Sequence, residues 1–352
     1  MDSGLAASRR PGMTLSETQR YMQRLAEFRR GKPACCPDQA IYAAFACGEL
    51  GLRFDDLDGG SGLLFSVAST TRRLYFGAGR CSYFPQNNAT ASTLAADKYF
   101  TNRILEANGI ATLGGEYFFL HERHRARRSA GHEREDAHEY LRGLGGTAFA
   151  KPLLGSRGDF AQIVNEASFA SYIDEVSHYY DSIILQPVVS GHEYRIFLLD
   201  DDVLYSARKY SPFLLGDGQR SVRELLSAHN AALRSRGISA AAMDEDDAAL
   251  DQVPDNGVRR AISGRMNLSA GGVMVLEAPP SEAVVAVARC AARALDLRVA
   301  GVDLFTGING EADATRVIEV NANPSIRLLE DSDRPDLILQ IWRHTFSSMG
   351  LL

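Results

Sequence analysis

The stretch Val317-Ile318-Glu319-Val320-Asn321-Ala322-Asn323-Pro324 sets a carboxylate and a carboxamide two residues apart in a largely apolar run. Side chains alternate faces on a strand, so Val317, Glu319 and Asn321 share one side and Ile318 and Val320 the other. Upstream, Gly301-Val302-Asp303-Leu304-Phe305 again places one acid among apolar neighbours. An acid on a buried strand is costly unless it is paired or bound to a cation. If the two strands pair, Asp303, Glu319 and Asn321 become a set of hard oxygen donors. A few such donors suit Mg2+, which keeps waters and is completed by phosphate oxygens. The plainer alternative is salt bridges to arginines on a solvated face. For Asp303 alone the two weigh equally; for the three together metal binding is the better reading.

Two lysines stand where phosphate oxygens could be met. Lys98 follows Asp97 near the start of a helical segment, and Lys151 ends a strand directly before Pro152-Leu153-Leu154-Gly155-Ser156-Arg157-Gly158. A point cation beside glycine amides makes a phosphate cradle. Each lysine alone is ordinary surface, and Gly-x-x-Gly alone is common. In Gln186-Pro187-Val188-Val189-Ser190-Gly191-His192-Glu193-Tyr194-Arg195 a strand breaks at Pro187, freeing backbone groups at Pro187 and Val189 that could read an adenine edge. Glu193 and Arg195 share a face, where an acid can accept from ribose hydroxyls while an arginine reaches phosphate. A surface ion pair is the alternative for either residue singly.

The elements that must carry these residues follow from periodicity. Helical spacing marks 17–29, 39–51 (ended by glycine) and 92–108, capped by Ser92 or Thr93, with Gly109 at its end. A short helix falls near 136–144, an amphipathic one at 281–296 and a closing one at 335–348. Strand patterns occupy 63–67, 73–76, 116–120, 147–151 and 182–187. Residues 193–200 and 203–209 flank an Asp-rich turn, and 299–305 with 316–321 form the last pair. The stretch 228–260 reads as an excursion, and 1–20 as frayed. The fold class is α/β, with α+β lobes: a small N-terminal α/β lobe over 1–92, a central lobe with the glycine loop over 93–190, and a C-terminal lobe with the acid-bearing strands over 191–352.

Composition narrows the options. At 45% hydrophobic and 23% charged the chain is an ordinary globular enzyme by make-up, long enough for two or three lobes. A net charge of −6 argues against a broad nucleic-acid or anionic-membrane surface. No apolar run approaches the ~20 residues of a spanning helix. No apolar stretch follows Arg9-Arg10-Pro11, so a secretory signal is not expected and the cytoplasm is the expected compartment. Five irregularly spaced cysteines without a CxxC pair argue against a disulfide framework or structural zinc. His121, His124, His132 and His138 read as surface residues.

The order of these motifs resembles the ATP-grasp superfamily, within it the ligase module of cyanophycin synthetases and of bifunctional glutathione synthetases. The resemblance runs from about Arg72 to Ser325. It includes residues 95–105, Phe149-Ala150-Lys151-Pro152, the glycine loop, Gln186 through Arg195, Gly216-Asp217-Gly218, Arg265-Met266-Asn267-Leu268-Ser269-Ala270-Gly271-Gly272, and the two acid-bearing strands. It implies a nucleotide held between two lobes. Lys98, Lys151, Gly155, Ser156 and Gly158 would meet the ATP phosphates, Gln186, Pro187 and Val189 the adenine, and Glu193 the ribose. Asp303, Glu319 and Asn321 would bind Mg2+, as two ions, with Mn2+ a possible substitute. Arg265, Asn267 and Arg195 would steady the transferring phosphoryl group and the acyl phosphate. The implied activity joins a small-molecule carboxylate, an amino acid or short peptide, to an amine through an acyl phosphate. A homo-oligomer is left open.

The sequence departs from that pattern where Asp159-Phe160 follows Gly158 in place of a further glycine, and where Gln186 replaces an acid. A small-molecule kinase would keep the same lysines and acids, whereas residues 267–272 favour the ligase. A non-catalytic nucleotide-binding regulator should have lost a metal ligand, and none is missing.

Overall fold

A computed structural model describes residues 15–33, 35–78, 82–156, 158–235, 250–262 and 273–352. Helices α1 (Leu15–Arg29) and α2 (Asp38–Leu50) precede a three-stranded antiparallel sheet of β1 (Arg53–Asp56), β2 (Leu64–Ala68) and β3 (Arg73–Gly77). The single helix expected over 92–108 is two helices, α3 (Ala89–Ala96) and α4 (Lys98–Ala107). Asn88, not Ser92 or Thr93, caps the first. Asp97 breaks the run: its backbone is extended and its carboxylate accepts from the amides of Tyr99 and Phe100. The capping preference of a short acid overrides the helical spacing that continues across it.

The next layer holds β4 (Glu116–Phe119), α5 (Arg134–Gly143), β5 (Thr147–Pro152), β6 (Gln162–Asn165), α6 (Glu166–Ser177) and β7 (Ser182–Gln186). The strands form an antiparallel sheet in the order β4-β7-β5-β6. Phe118, Leu141, Phe169, Ile173 and Ile183 make its core. Neither β6 nor α6 is expected from the spacing; Asn165 starts the helix by accepting from the amides of Ala167 and Ser168.

The remainder is built on β8 (His192–Leu199) and β9 (Asp202–Tyr210), joined by a turn with Asp200 at a left-handed φ of 52°. There follow β10 (Phe213–Leu215), α7 (Val222–Ser235), β11 (Arg259–Ala261), β12 (Val273–Leu276), α8 (Glu282–Ala294), β13 (Val299–Ile308), β14 (Glu311–Asn321), α9 (Arg327–Asp331) and α10 (Pro335–Ser348). The main sheet runs β12-β9-β8-β13-β14, all antiparallel; β10 and β11 pair separately over a small core of Leu214, Val222, Leu225, Leu250 and Ile262.

Strand alternation gives the main sheet two unlike faces. On one, Ile196, Leu198, Val302, Leu304, Val317 and Val320 pack with α8 side chains and Leu105 of α4. On the other, Phe197, Leu199, Tyr205 and Val299 join Tyr42, Phe45, Trp342 and Phe346 in a second core. That second face changes character partway along its strands.

Candidate active site

Antiparallel register brings the polar residues of that face together. Glu193 pairs with Lys209, Arg195 with Asp303, Asp303 with Glu319, and Gly301 with Asn321. Directly opposed residues share a face, so six polar side chains from four strands lie side by side beyond the apolar end.

Asp303 sits at the centre, 0% exposed. Arg195 grips it in bidentate fashion, Nε to Oδ1 at 2.6 Å and Nη2 to Oδ2 at 2.7 Å. Lys209 Nζ donates to the same Oδ2 at 2.9 Å and also pairs with Glu193. Burial alone would raise the Asp303 pKa, but the charges and hydrogen bonds of Arg195 and Lys209 outweigh it and hold the carboxyl below the usual range. Burial pushes Glu193 up, against the pull of Lys209. The bidentate grip shows where the guanidinium of Arg195 is engaged: on Asp303. Lys209 is the cation that the sequence reading missed. Its signal was its place opposite Glu193 at the end of a strand, where alternation puts it on the face of Tyr205 and Ala207.

Glu319 and Asn321 are half-buried. Asn321 Nδ2 donates to Glu319 Oε1 at 3.1 Å and to the Gly301 carbonyl at 3.3 Å, which leaves the amide oxygen as its donor atom toward a cation. The turn after Asn321 is clamped. Asn87 Nδ2 donates to the carbonyls of Ala322 and Val299 at 3.0 and 2.8 Å, and Gln39 Nε2 donates to the Pro324 carbonyl at 3.2 Å. Gly301 is required there, because a Cβ would lie 2.8 Å from Pro324 Cβ. No sequence pattern singled out Asn87 or Gln39.

The small sheet and helix α4 supply one lysine each. Lys151, at the end of β5, is buried; burial pushes its pKa down while Glu319 and Glu193 pull it back up. Lys98, at the N-terminus of α4, is pushed down to about 8 by burial, with Glu319 opposing and Lys151 adding to the shift. Its ammonium donates to the carbonyls of Leu153 at 3.1 Å and Gly155 at 2.6 Å, bracing the glycine loop. Ser156 is exposed, and Gly158 has a left-handed φ of 67°.

Gln186 ends β7, 1% exposed. Its Nε2 donates to the Gly114 carbonyl at 2.7 Å, while its Oε1 has no hydrogen-bond partner among the described residues. Pro187 lies exposed and Val189 half-buried just beyond the strand. Arg265 and Asn267 lie outside the described residues.

These groups suit a polyphosphate and a divalent cation. Glu319 and Asn321 are hard oxygen donors with room to coordinate. Asp303 fits as a third donor once one of its two cations turns to another partner. Among the described residues no group of three His, Cys, Asp or Glu side chains could hold a metal, so the candidate set is two acids and an amide. No helix among the described residues is long and apolar enough to cross a membrane.

The architecture is the ATP-grasp fold that the motif order implies. It matches the crystal structure of a bifunctional glutathione synthetase from Pasteurella multocida with a TM-score of 0.55 and 19% identity, over 87% of this chain and 45% of that one. In sequence it is 26% identical over 281 residues to the glutathione biosynthesis bifunctional protein of Desulfotalea psychrophila, covering 71% of this chain and 34% of that protein. It is likewise 26% identical over 263 residues to cyanophycin synthetase of Nostoc sp., covering 67% of this chain and 27% of the relative. The chain thus spans about a third of the length of the curated relatives it matches. No family model matches it.

Proposed function

We propose that the chain is an ATP-dependent carboxylate–amine ligase, acting on amino-acid or short-peptide substrates and releasing ADP and phosphate. The observation that carries this reading is the buried Arg195–Asp303 pair with the half-buried Lys209 and Glu193 at its edge, beside Glu319 and Asn321, and with Lys151 of the small sheet and Lys98 of α4 each reaching Glu319 electrostatically. So many charges out of water are costly for a fold. Polyphosphate chemistry accounts for them.

A carboxylate resists amines because its leaving group would be oxide. Phosphoryl transfer converts it to a mixed anhydride, so the protein's task is positioning and charge neutralisation. Mg2+, as two ions or replaced by Mn2+, would be held by Glu319, Asn321 and Asp303 and would neutralise phosphate charge when bound. Lys98 and Lys151 supply point charges to phosphate oxygens near Gly155, Ser156 and Gly158. Lys209 is placed to exchange Asp303 for a phosphate oxygen. Arg195 keeps Asp303 oriented through that exchange. The orphan Oε1 of Gln186 supports adenine recognition: anchoring Nε2 on Gly114 turns the amide so that an acceptor remains for an exocyclic amino group. Glu193 is assigned to the ribose, and Arg265 and Asn267 to the acyl phosphate.

The test is trapping. The protein is incubated with ATP, Mg2+ and pooled amino acids or dipeptides, followed by hydroxylamine. A hydroxamate formed together with ADP is expected. A stable phosphorylated product and no hydroxamate would replace the ligase with a kinase.

A further inference from the structure

The departure at Asp159-Phe160 acquires a purpose from its surroundings. Asp159 Oδ2 accepts from the Tyr180 hydroxyl at 2.7 Å, just beyond the end of α6. Phe160 adopts a left-handed φ of 50°, which costs a residue with a side chain about 1 kcal/mol and persists only where neighbours hold it. They do: its ring lies 5.4 Å from the Tyr179 ring and 6.1 Å from that of Tyr180, and its carbonyl accepts from Tyr172 Oη at 3.0 Å. Two successive turns continue the restraint, Asp159 N donating to Ser156 O and Ala161 N to Gly158 O, each at 3.1 Å.

We propose that Asp159, Phe160 and Tyr180 form a tether that fixes the C-terminal end of the glycine loop to the end of α6, and that they are positioning residues for the ATP phosphates. This rests on the reading of Gly155, Ser156 and Gly158 as phosphate-binding. The tether does two things. It turns the Asp159 carboxylate toward Tyr180, so that a negative charge that would repel the γ-phosphate is directed elsewhere. It also restrains one end of a loop whose other end is braced by Lys98 on the carbonyls of Leu153 and Gly155. A loop held at both ends loses less entropy when it orders on its ligand.

Tyr180→Phe removes only the hydroxyl, and Asp159→Ala removes its acceptor. Either change should raise the KM for ATP about five- to tenfold, the worth of one solvent-exposed hydrogen bond, with kcat altered much less. Asp159→Asn keeps an acceptor oxygen and should stay close to wild type. A second readout needs no nucleotide: amide hydrogen exchange across 155–161 in the free protein should accelerate in Tyr180→Phe and Asp159→Ala but not in Asp159→Asn. Unchanged exchange in both variants would overturn the tether. Faster exchange with an unaltered KM would overturn its positioning role. If the wild-type protein bound no ATP, the phosphate-loop reading would fall along with that role, and the exchange data alone would then report on the tether.

Discussion

Strands β8, β9 and β13 present one face with two ends that solve burial in opposite ways. At one end Phe197, Leu199, Tyr205 and Val299 vanish into an apolar core shared with Trp342 and Phe346. At the other, two to six residues along the same strands, Arg195 and Asp303 are buried as an ion pair, with Glu193 and Lys209 half-buried against them. The apolar end stabilises outright, each large side chain contributing roughly 1.5–3 kcal/mol when taken out of water. The ionic end at best breaks even, since desolvation consumes what the pairing returns. A fold that needed only stability would extend the apolar end. Keeping the ions ready, each with a partner it can exchange, is what a phosphoryl-transfer site requires.

Several substitutions would test that contrast. Glu319→Ala should have the largest effect, a loss of turnover of roughly a hundred- to a thousandfold, because it removes charge stabilisation at the reacting centre. The midpoint of urea unfolding should barely move, since Glu319 is half-buried and, among the described residues, its side chain hydrogen-bonds to Asn321 alone. Asp303→Asn should cost about 3–5 kcal/mol of stability by stranding Arg195 and Lys209 without their carboxylate, measured in the same unfolding experiment. The combined variant Glu193→Gln, Arg195→Met, Asp303→Leu and Lys209→Met should return to within about 1 kcal/mol of wild type, or exceed it, yet stay inactive.

At the apolar end, Phe197→Ala should lose a comparable ~3–5 kcal/mol while the activity per folded molecule is kept. The smallest effect is on pH. Lys98 in the free protein has its pKa pushed down to about 8, so its charge is present below that value and lost as pH rises through it. Polyphosphate favours the charged form. ATP affinity should therefore weaken severalfold between pH 7 and 9, with protons taken up on binding above pH 8. Lys98→Arg, charged throughout, should abolish that slope; calorimetry in buffers of different ionisation enthalpy reads both.

The sequence made some of this plain. The two-residue spacing of Glu319 and Asn321, and the single acid in 301–305, place those side chains on one face where the strands pair. Val317 does not join them: the register skips Ile318, pairing Asp303 with Glu319 and Leu304 with Val317, so Val317 packs with Val302 and Leu304 on the opposite face. The C-terminal helix was legible because Pro335 opens it and its apolar positions recur regularly. Lys209 was not legible, since its role depends on the register of β8 against β9 rather than on its neighbours in sequence. The break at Asp97 was obscured because apolar residues on both sides keep a helical period. Strand β12 and helix α6 escaped notice because a four-residue apolar run is ambiguous and the cap that starts α6 directly follows a strand. Asn87 and Gln39 act at distances of more than 200 residues along the chain, which no local pattern encodes.

The central claim is that the ionic end of the sheet binds a metal-complexed triphosphate. Calorimetric titration of ATP into the wild-type protein and into Glu319→Ala, each with and without MgCl2, addresses it directly. The expected result is one site per chain whose affinity in the wild type rises strongly with Mg2+ and whose Mg2+ dependence disappears in the variant. Equal Mg2+ dependence in the two proteins, or no ATP binding to the wild type at all, would contradict it.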